Sequence, residues 1–482
     1  MIEGVAGLHE VPIASQSIDR LVPLVGEEPV ALLKAKAEAA KSQLRGREFW
    51  NVNSTAHGGG VAEMLHSLMP YVRGLGIDTR WAVIEGNQEF FRITKRLHHA
   101  LHGSRGDGSD LGDSQRAVYE AVSQENAAKL SEVVEPGDVV VLHDPQTAGL
   151  APHLMAHGAI VIWRCHVGSD EPTPDVKLGW DFLAPYLEKV PVNIFTREQY
   201  IPECCDHGRS LIVPPSIDPF SPKNQEMSEE TARSILVNTG IIEAPNGAQP
   251  VFTRQDGSPG RVGRQADIVL RSGRAPAWDA PLIVQVSRWD PLKDPVGVMK
   301  GFVRLLERPF DTNAELVLAG PNVSAVSDDP EGKGTLDNVE AAWRELPHGY
   351  RDRVHLACLP MTDDEENGAI VNALQRHATI VVQKSLKEGF GLTVTEAMWK
   401  ARPVVASAVG GIRDQIEDGV SGLLLGDPRD ADEFASALER LLKDEGLRTK
   451  LGDNAREKVR ENFLATRHLL QYGELLARLA GG

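Results

Sequence analysis

Short apolar runs alternate with longer amphipathic segments along the whole chain, and each run closes on polar residues or glycine. Runs this short suit buried strands, and their alternation with helical segments is the pattern of βαβ units on a mostly parallel sheet. The first half predicts strands at EFWNVNS (48–54), DTRWAVIE (78–85), DVVVLHD (138–144), AIVIWRCH (159–166) and VNIFT (192–196). The second half repeats the theme at PLIVQVS (281–287), AELVLAG (314–320), RVHLACL (353–359), ATIVVQKS (378–385) and RPVVASA (402–408). Ligands of such sheets gather at the carboxyl ends of the strands, so the polar residues that close each run are the first candidates for chemistry.

Two repeats of the theme predict an α/β protein of two Rossmann-like domains facing each other across a deep cleft. The proline-rich IVPPSIDPFSPKN at 212–224 continues neither helix nor sheet and reads as the linker. It places an N-terminal domain at 1–215 and a C-terminal domain at 216–463. Residues 240–275 are rich in glycine, proline and charge with little periodicity, which predicts an irregular insertion. The last helical stretch is interrupted at ENF; periodicity does not say where its end packs, and 464–482 is assigned as a helix returning to the first domain.

A length of 482 residues allows two large domains or three small ones, and 41% hydrophobic with 25% charged residues is the composition of an ordinary folded protein. Fifty-one basic against 68 acidic residues leave a net charge of −17, which opposes general binding to nucleic acid or anionic membrane. Any anionic ligand must then be met by a local basic cluster. Four cysteines without C-x-x-C spacing suggest neither a disulfide framework nor a zinc site, and a reducing cytoplasm is expected. The N-terminus shows no basic and apolar signal pattern, and no apolar run approaches a membrane span.

The stretch LKEGFGLTVTEAMWK, 386–400, follows a predicted strand and holds a glycine turn before a helix that begins near Thr393. Glycines let backbone approach a phosphate closely, and the open N–H groups of a helix start favour an anion. The bland alternative is an ordinary turn whose helix is supported by the acidic Glu396. A second clue is QVSRWDPLKD, where Arg288 and Lys293 close another strand and could neutralise a diphosphate, one as a fork and one as a point charge. Its bland counterpart is a solvated loop in which Arg288 and Lys293 pair with Asp290 and Asp294. Taken together the two stretches favour a diphosphate held by Arg288, Lys293 and the backbone of Gly391, Leu392 and Thr393. Glu388 and Glu396 are then left for neutral hydroxyls.

In the first half, NVNSTAHGGGVAEML places Gly58, Gly59 and Gly60 before a helix beginning near Val61, a second glycine-rich helix start or else a tight turn without ligand. Three more strand ends carry polar groups: Glu85, the pair His143 and Asp144, and the pair Arg164 and His166. Singly they read as structural; clustered on one edge they suggest a polyol pocket. No G-x-S-x-G elbow, H-E-x-x-H helix or Walker loop is present, and His98-His99 and Glu365-Glu366 read as solvated positions.

The E-x7-E pair Glu388/Glu396 around EGFGL, after SRWDPLKD and before SAVGGI, resembles the retaining family-4 glycosyltransferases of the GT-B fold. Within them, NSTAHGGGVAEMLHSLMPYVRGLGIDTRWAVIEG, FFRITKRLHHALHG, VIWRCHVG and VNALQRHATIVVQKSLKEGFGLTVTEAMWK are similar to the glycosyltransferring trehalose synthases, nearly end to end. The segment 240–275 departs from their compact pattern.

The resemblance implies transfer of glucose from a nucleoside diphosphate glucose (ADP-, UDP- or GDP-glucose) to free glucose, giving α,α-trehalose reversibly, with no cofactor or metal required. Arg288, Lys293 and Glu388 would be the catalytic group: the cations hold the diphosphate as it leaves, and Glu388 takes donor-sugar hydroxyls. Gly389, Phe390, Gly391, Leu392 and Thr393 would complete the phosphate loop, and Glu396 would take the ribose. From the first domain, Gly59, Gly60 and His166 would reach the donor, while Glu85, Asp144, Arg164 and Gly60 would receive the acceptor. Retention by double displacement needs a carboxylate under the anomeric carbon. None is evident, so the resemblance implies same-face internal return. A cytoplasmic homodimer acting on small sugars, away from nucleic acid and membrane, is expected.

Rivals of the same architecture are a sucrose-type or lipid-directed transferase and a trehalose phosphorylase. A rival of another class is a non-catalytic nucleotide-sugar sensor; carrying Arg288/Lys293 together with Glu388/Glu396 argues against it.

Overall fold

Each apolar run forms a strand in the computed structural model, which describes residues 8–57, 59–245, 248–323 and 330–479. The chain divides into two units, Met1–Ser216 with Phe463–Gly482, and Ile217–Asn462. The boundary falls inside the proline-rich segment 212–224.

The first unit is built on seven strands: β1 His9–Glu10, β2 Phe49–Asn53, β3 Thr79–Val83, β4 Val139–His143, β5 Ile160–Cys165, β6 Val192–Phe195 and β7 Ser210–Ile212. They lie in the order β1-β3-β2-β4-β5-β6-β7, parallel except for β1. β2 and β4 are buried along their whole length, because helices cover both faces of a parallel sheet. One face packs Trp50, Val52, Val140, Leu142 and Trp163 against helices of the same unit. The other packs Phe49, Val141 and Ile162 under helices Glu27–Leu44 and Ala465–Leu479, which contribute Ala37, Ala40, Leu475 and Leu476. The last helix is separated from its predecessor, Glu445–Asn462, by the buried Phe463 and Leu464.

The second unit holds β10 Asp267–Leu270, β11 Leu282–Val286, β12 Glu315–Pro321, β13 Val354–Leu359, β14 Ile380–Gln383, β15 Val404–Ser407 and β16 Leu423–Leu425, preceded by the hairpin β8 Val251–Thr253 and β9 Pro259–Arg261. Their order is β10-β13-β12-β11-β14-β15-β16, again parallel except for the first edge strand.

The segment 240–275 is irregular over most of its described length, interrupted by short strands. It carries the hairpin and then β10, which closes the sheet edge against β13. Three-residue strands containing Pro259 and Gly260 are too short to show a period of two. Glu366 is not solvated: it is 2% exposed and accepts hydrogen bonds from the N–H groups of Gly263 (2.7 Å) and Arg264 (2.8 Å), fastening the chain after the hairpin. Arg254 is held likewise by Asp363 (2.8 Å) and Glu365 (2.6 Å).

The strand orders fix where ligands can sit. In the second unit the chain leaves β11 to one side for β12 and β13, then returns to the other for β14. The switch point therefore lies between the loops after β11 and β14. In the first unit the corresponding point lies between the loops after β2 and β4.

Candidate active site

At the switch point of the second unit the two stretches singled out from the sequence meet. β11 runs into Ser287–Asp290 and a short 3-10 turn, Pro291–Lys293, capped by Asp290, whose carboxylate accepts from the Leu292 N–H (2.8 Å). β14 runs into the loop 384–391. The loops are stitched together where the Leu386 N–H donates to Leu292 O (2.7 Å), and the first loop is tied back to β11 by the Gln285 side chain, which donates to Lys293 O (2.9 Å). Across this seam Lys293 Nζ donates to Glu388 Oε2 at 2.5 Å, and Ser385 Oγ donates to the same oxygen at 3.2 Å. Arg288 is half-exposed and pairs with Asp290 at 3.0 Å. Asp294 does not pair with Lys293; its carboxylate caps the next helix through Gly297 N (3.1 Å) and takes the ammonium of the fully buried Lys384.

Gly391 sits in the left-handed region (φ 88°), where an L side chain is strained, and an added Cβ would lie 3.2 Å from Glu388 and 3.3 Å from Ile412. It starts the helix Leu392–Trp399, so the N–H groups of Leu392 and Thr393 are among those without an intrahelical acceptor. The turn is held from behind by Gln415, which donates to Phe390 O at 2.5 Å and accepts from Thr395 Oγ1 at 2.6 Å. Phe390 is buried and Gly389 accepts from the Gly411 N–H (3.1 Å). Glu396, one turn into the helix, is 2% exposed, with Lys223 Nζ 3.6 Å from its carboxylate. Beside it Lys400 donates to Asn224 (3.1 Å) and to Glu396 O (3.1 Å); burial holds its ammonium well below the usual lysine range, against the attraction of Glu396.

At the switch point of the first unit, Gly59 (φ 80°) precedes the helix Gly60–Gly74, and both Gly59 and Gly60 are exposed; Gly58 lies outside the described residues. Next to this loop the end of β4 presents His143 and Asp144. The His143 and His166 rings lie nearly parallel (15°) and edge to edge, with centroids 5.4 Å apart and His143 Nδ1 3.1 Å from His166 Nε2. Asp144 (φ 64°) accepts from the His166 N–H at 2.7 Å. Burial pushes the Asp144 carboxyl up to about 7, against the pull of that N–H. Burial also lowers both histidines well below the ordinary imidazole range, and the Arg164 guanidinium acts in the same sense.

Arg164 is placed differently from the other strand-end groups. Register places it opposite His143, and its head turns under the helix Ala465–Leu479, 1% exposed, rather than off the strand end toward an acceptor. There it donates to His468 Nε2 (2.7 Å), Tyr472 Oη (2.7 Å) and Val213 O (3.1 Å). Glu85 is exposed at the end of β3 and pairs with Lys129 at 2.8 Å. Sequence reasoning passed over Lys384, Lys223, Gln415, Asn51 and His468; a lysine closing an otherwise apolar strand was the one available signal, since burial demands a counter-charge. No group of three or more His, Cys, Asp or Glu among the described residues is placed to hold a metal ion, and no helix among them is long and apolar enough to cross a membrane.

Two Rossmann-like units, the second with a glycine helix start beside Arg288 and Lys293, have the architecture of the GT-B glycosyltransferases. The fold agrees with the solved UDP-forming α,α-trehalose-phosphate synthase from Burkholderia xenovorans, similar with a TM-score of 0.66 at 16% identity over 90% of this chain and 99% of that one. Residues 51–202 match the trehalose synthase N-terminal domain family, and residues 273–458 match glycosyl transferases group 1. The trehalose synthase of Pyrococcus horikoshii is 36% identical over 474 residues, 98% of this chain and 99% of that protein. That of Thermococcus litoralis is 37% identical over 453 residues, 94% and 95% of the two. The chain belongs to the trehalose synthase family.

Proposed function

We propose that the protein transfers glucose from a nucleoside diphosphate glucose to free glucose with retention at the anomeric carbon, giving α,α-trehalose and the nucleoside diphosphate, and that it can run in reverse. The observation that carries the reading is the pairing of Lys293 with Glu388 beside the Gly391 helix start, in a chain similar to trehalose synthases over almost its full length.

The chemistry follows from the residues. The bond between the sugar C1 and the diphosphate oxygen breaks, and the negative charge that develops there is met by Lys293, Arg288 and the N–H groups at the start of the helix Leu392–Trp399. Glu388 accepts hydrogen bonds from donor-sugar hydroxyls, and Glu396 from the ribose. The acceptor oxygen bonds to C1 on the face the diphosphate leaves, and its proton passes to the departing phosphate oxygen. This order of events requires no protein carboxylate beneath C1. In the first unit the loop at Gly59 and Gly60, with His166 and Asp144, supplies the groups for sugar hydroxyls.

The test is incubation of the purified protein with ADP-, UDP- or GDP-glucose and glucose, with the product identified by NMR. α,α-Trehalose with stoichiometric nucleoside diphosphate is expected. Absence of diphosphate release with all three donors, or product only when inorganic phosphate and trehalose are supplied, overturns the reading.

A further inference from the structure

We infer that His143 is a positioning residue that fixes the proton of His166 on Nε2 and so presents Nδ1 of His166 as a hydrogen-bond acceptor for a sugar hydroxyl. The sugar part rests on the functional reading above; the proton placement does not.

The assignment starts at Asn51, on β2 and 3% exposed. Its Nδ2 donates to the Met69 sulfur at 3.2 Å, which leaves the carbonyl Oδ1 to face His143 Nε2 at 2.9 Å. A carbonyl only accepts, so Nε2 of His143 carries hydrogen. Both rings sit among buried groups beside a guanidinium, which disfavours the imidazolium. A neutral His143 protonated on Nε2 has a bare Nδ1, and that nitrogen lies 3.1 Å from His166 Nε2. Two bare nitrogens would repel, so His166 must donate from Nε2. Its own Nδ1 is then a lone pair, and it makes no hydrogen bond to another described residue. The His166 ring is held in place by this edge-to-edge bond to His143 and, through its backbone, by the N–H bond to Asp144.

A fixed acceptor here discriminates by chemistry. It matches a hydroxyl hydrogen and rejects a group that can only accept, so it suits a neutral polyol better than a phosphate oxygen. The same nitrogen in the other tautomer would invert that preference. The proton is thus placed by residues that need not touch the sugar.

The first measurement is long-range nitrogen–proton NMR on protein labelled with 15N-histidine, at neutral pH and without ligand, assigned by single substitutions. Both His143 and His166 are expected as neutral rings protonated on Nε2. Finding hydrogen on Nδ1 of His166, or an imidazolium, overturns the inference whatever the enzyme catalyses. The second compares two variants. His143→Asn keeps an acceptor near the position of the lost Nδ1, whereas His143→Leu removes it. The leucine variant is expected to show mixed tautomers of His166 and a KM for the sugar raised about tenfold, the loss of one oriented hydrogen bond; the asparagine variant restores both in large part. A His166 tautomer unchanged in His143→Leu also overturns it. Trehalose added to the wild-type protein is expected to shift the His166 Nδ1 resonance upfield. No shift at a concentration that saturates turnover overturns the sugar contact, whereas absent turnover with nucleotide sugars condemns the functional reading instead.

Discussion

Lys293 and Glu388, 95 residues apart in the chain, form an ion pair at 2.5 Å across the seam between the loops after β11 and β14. This ammonium and this carboxylate at the proposed diphosphate site neutralise each other before any ligand arrives. A diphosphate therefore competes with Glu388 for Lys293, and the two substitutions separate. Glu388→Gln removes a like charge from beside the phosphates, so nucleoside diphosphate alone should bind several-fold tighter. Turnover should fall about a hundredfold, because the hydroxyl acceptor for the donor sugar is lost. Lys293→Ala should weaken the same diphosphate and slow its departure. Calorimetric titration with the diphosphate and steady-state kinetics check both; weaker diphosphate binding by Glu388→Gln contradicts the competition.

The strands that carry this seam were legible because they are buried on both faces and flanked by helices, so apolar runs stand out without competing periodicity. β7 and β16, three residues each, and the hairpin at 251–261 were not, since such strands are made by their neighbours. Chemistry followed the same division. Arg288, Lys293, Glu388 and Gly391 announced themselves by spacing at strand ends. The polar residues that support such groups, Lys384 and Gln415 in the second unit and Asn51 beside His143 in the first, lie on or beside buried elements, and their meaning depends on contacts 20 to 92 residues away. The packing of Arg164 was illegible for the same reason: its counterpart helix lies some three hundred residues further along the chain, 304 positions away at His468.

Lys384 is 1% exposed and its ammonium meets Asp294, the cap of the helix Pro295–Leu306 that follows Lys293. Removing one member of a buried pair leaves the other charge uncompensated, typically at about 3–5 kcal/mol. Lys384→Met should therefore lower stability by about 3 kcal/mol, and combining it with Asp294→Asn should recover part of that loss, since asparagine retains the helix cap and tolerates the left-handed backbone at φ 48°. A double-mutant cycle by urea unfolding measures the coupling; additive losses would mean that the two side chains act separately.

Asp144 gives stability a pH dependence of definite sign. Burial raises its carboxyl from 3.8 to about 7, so between those values the folded chain keeps a proton that the unfolded chain has lost. Its contribution is fully present at the acid end and is lost as pH rises toward 7. Asp144→Asn keeps an acceptor for the His166 N–H and suits φ 64°, but does not ionise. Relative to wild type the variant should gain on the order of 2–4 kcal/mol between pH 4.5 and 7.5. Parallel unfolding curves for the two proteins across that range would show that Asp144 titrates normally.

Arg164 should behave as a strut of the first unit. A guanidinium has only donors, so His468 must accept on Nε2 and turn its Nδ1 hydrogen to Ser216 Oγ, 2.9 Å away. Burial, with Arg164 next in effect, holds His468 well below the usual imidazole range, which keeps it the neutral acceptor this contact needs. Arg164→Ala would strand His468 Nε2, Tyr472 Oη and Val213 O without their donor beneath the helix Ala465–Leu479. Three buried acceptors left unsatisfied cost roughly 3–5 kcal/mol together, which lowers the melting temperature of this unit on the order of 10 °C. Tyr472→Phe removes one acceptor and should cost only about 1 kcal/mol. If Arg164 served an acceptor sugar instead, Arg164→Lys would raise the KM for glucose at unchanged melting temperature. The strut predicts the reverse, a lower melting temperature at unchanged KM, because a point charge cannot satisfy acceptors that a planar fork reaches from two nitrogens.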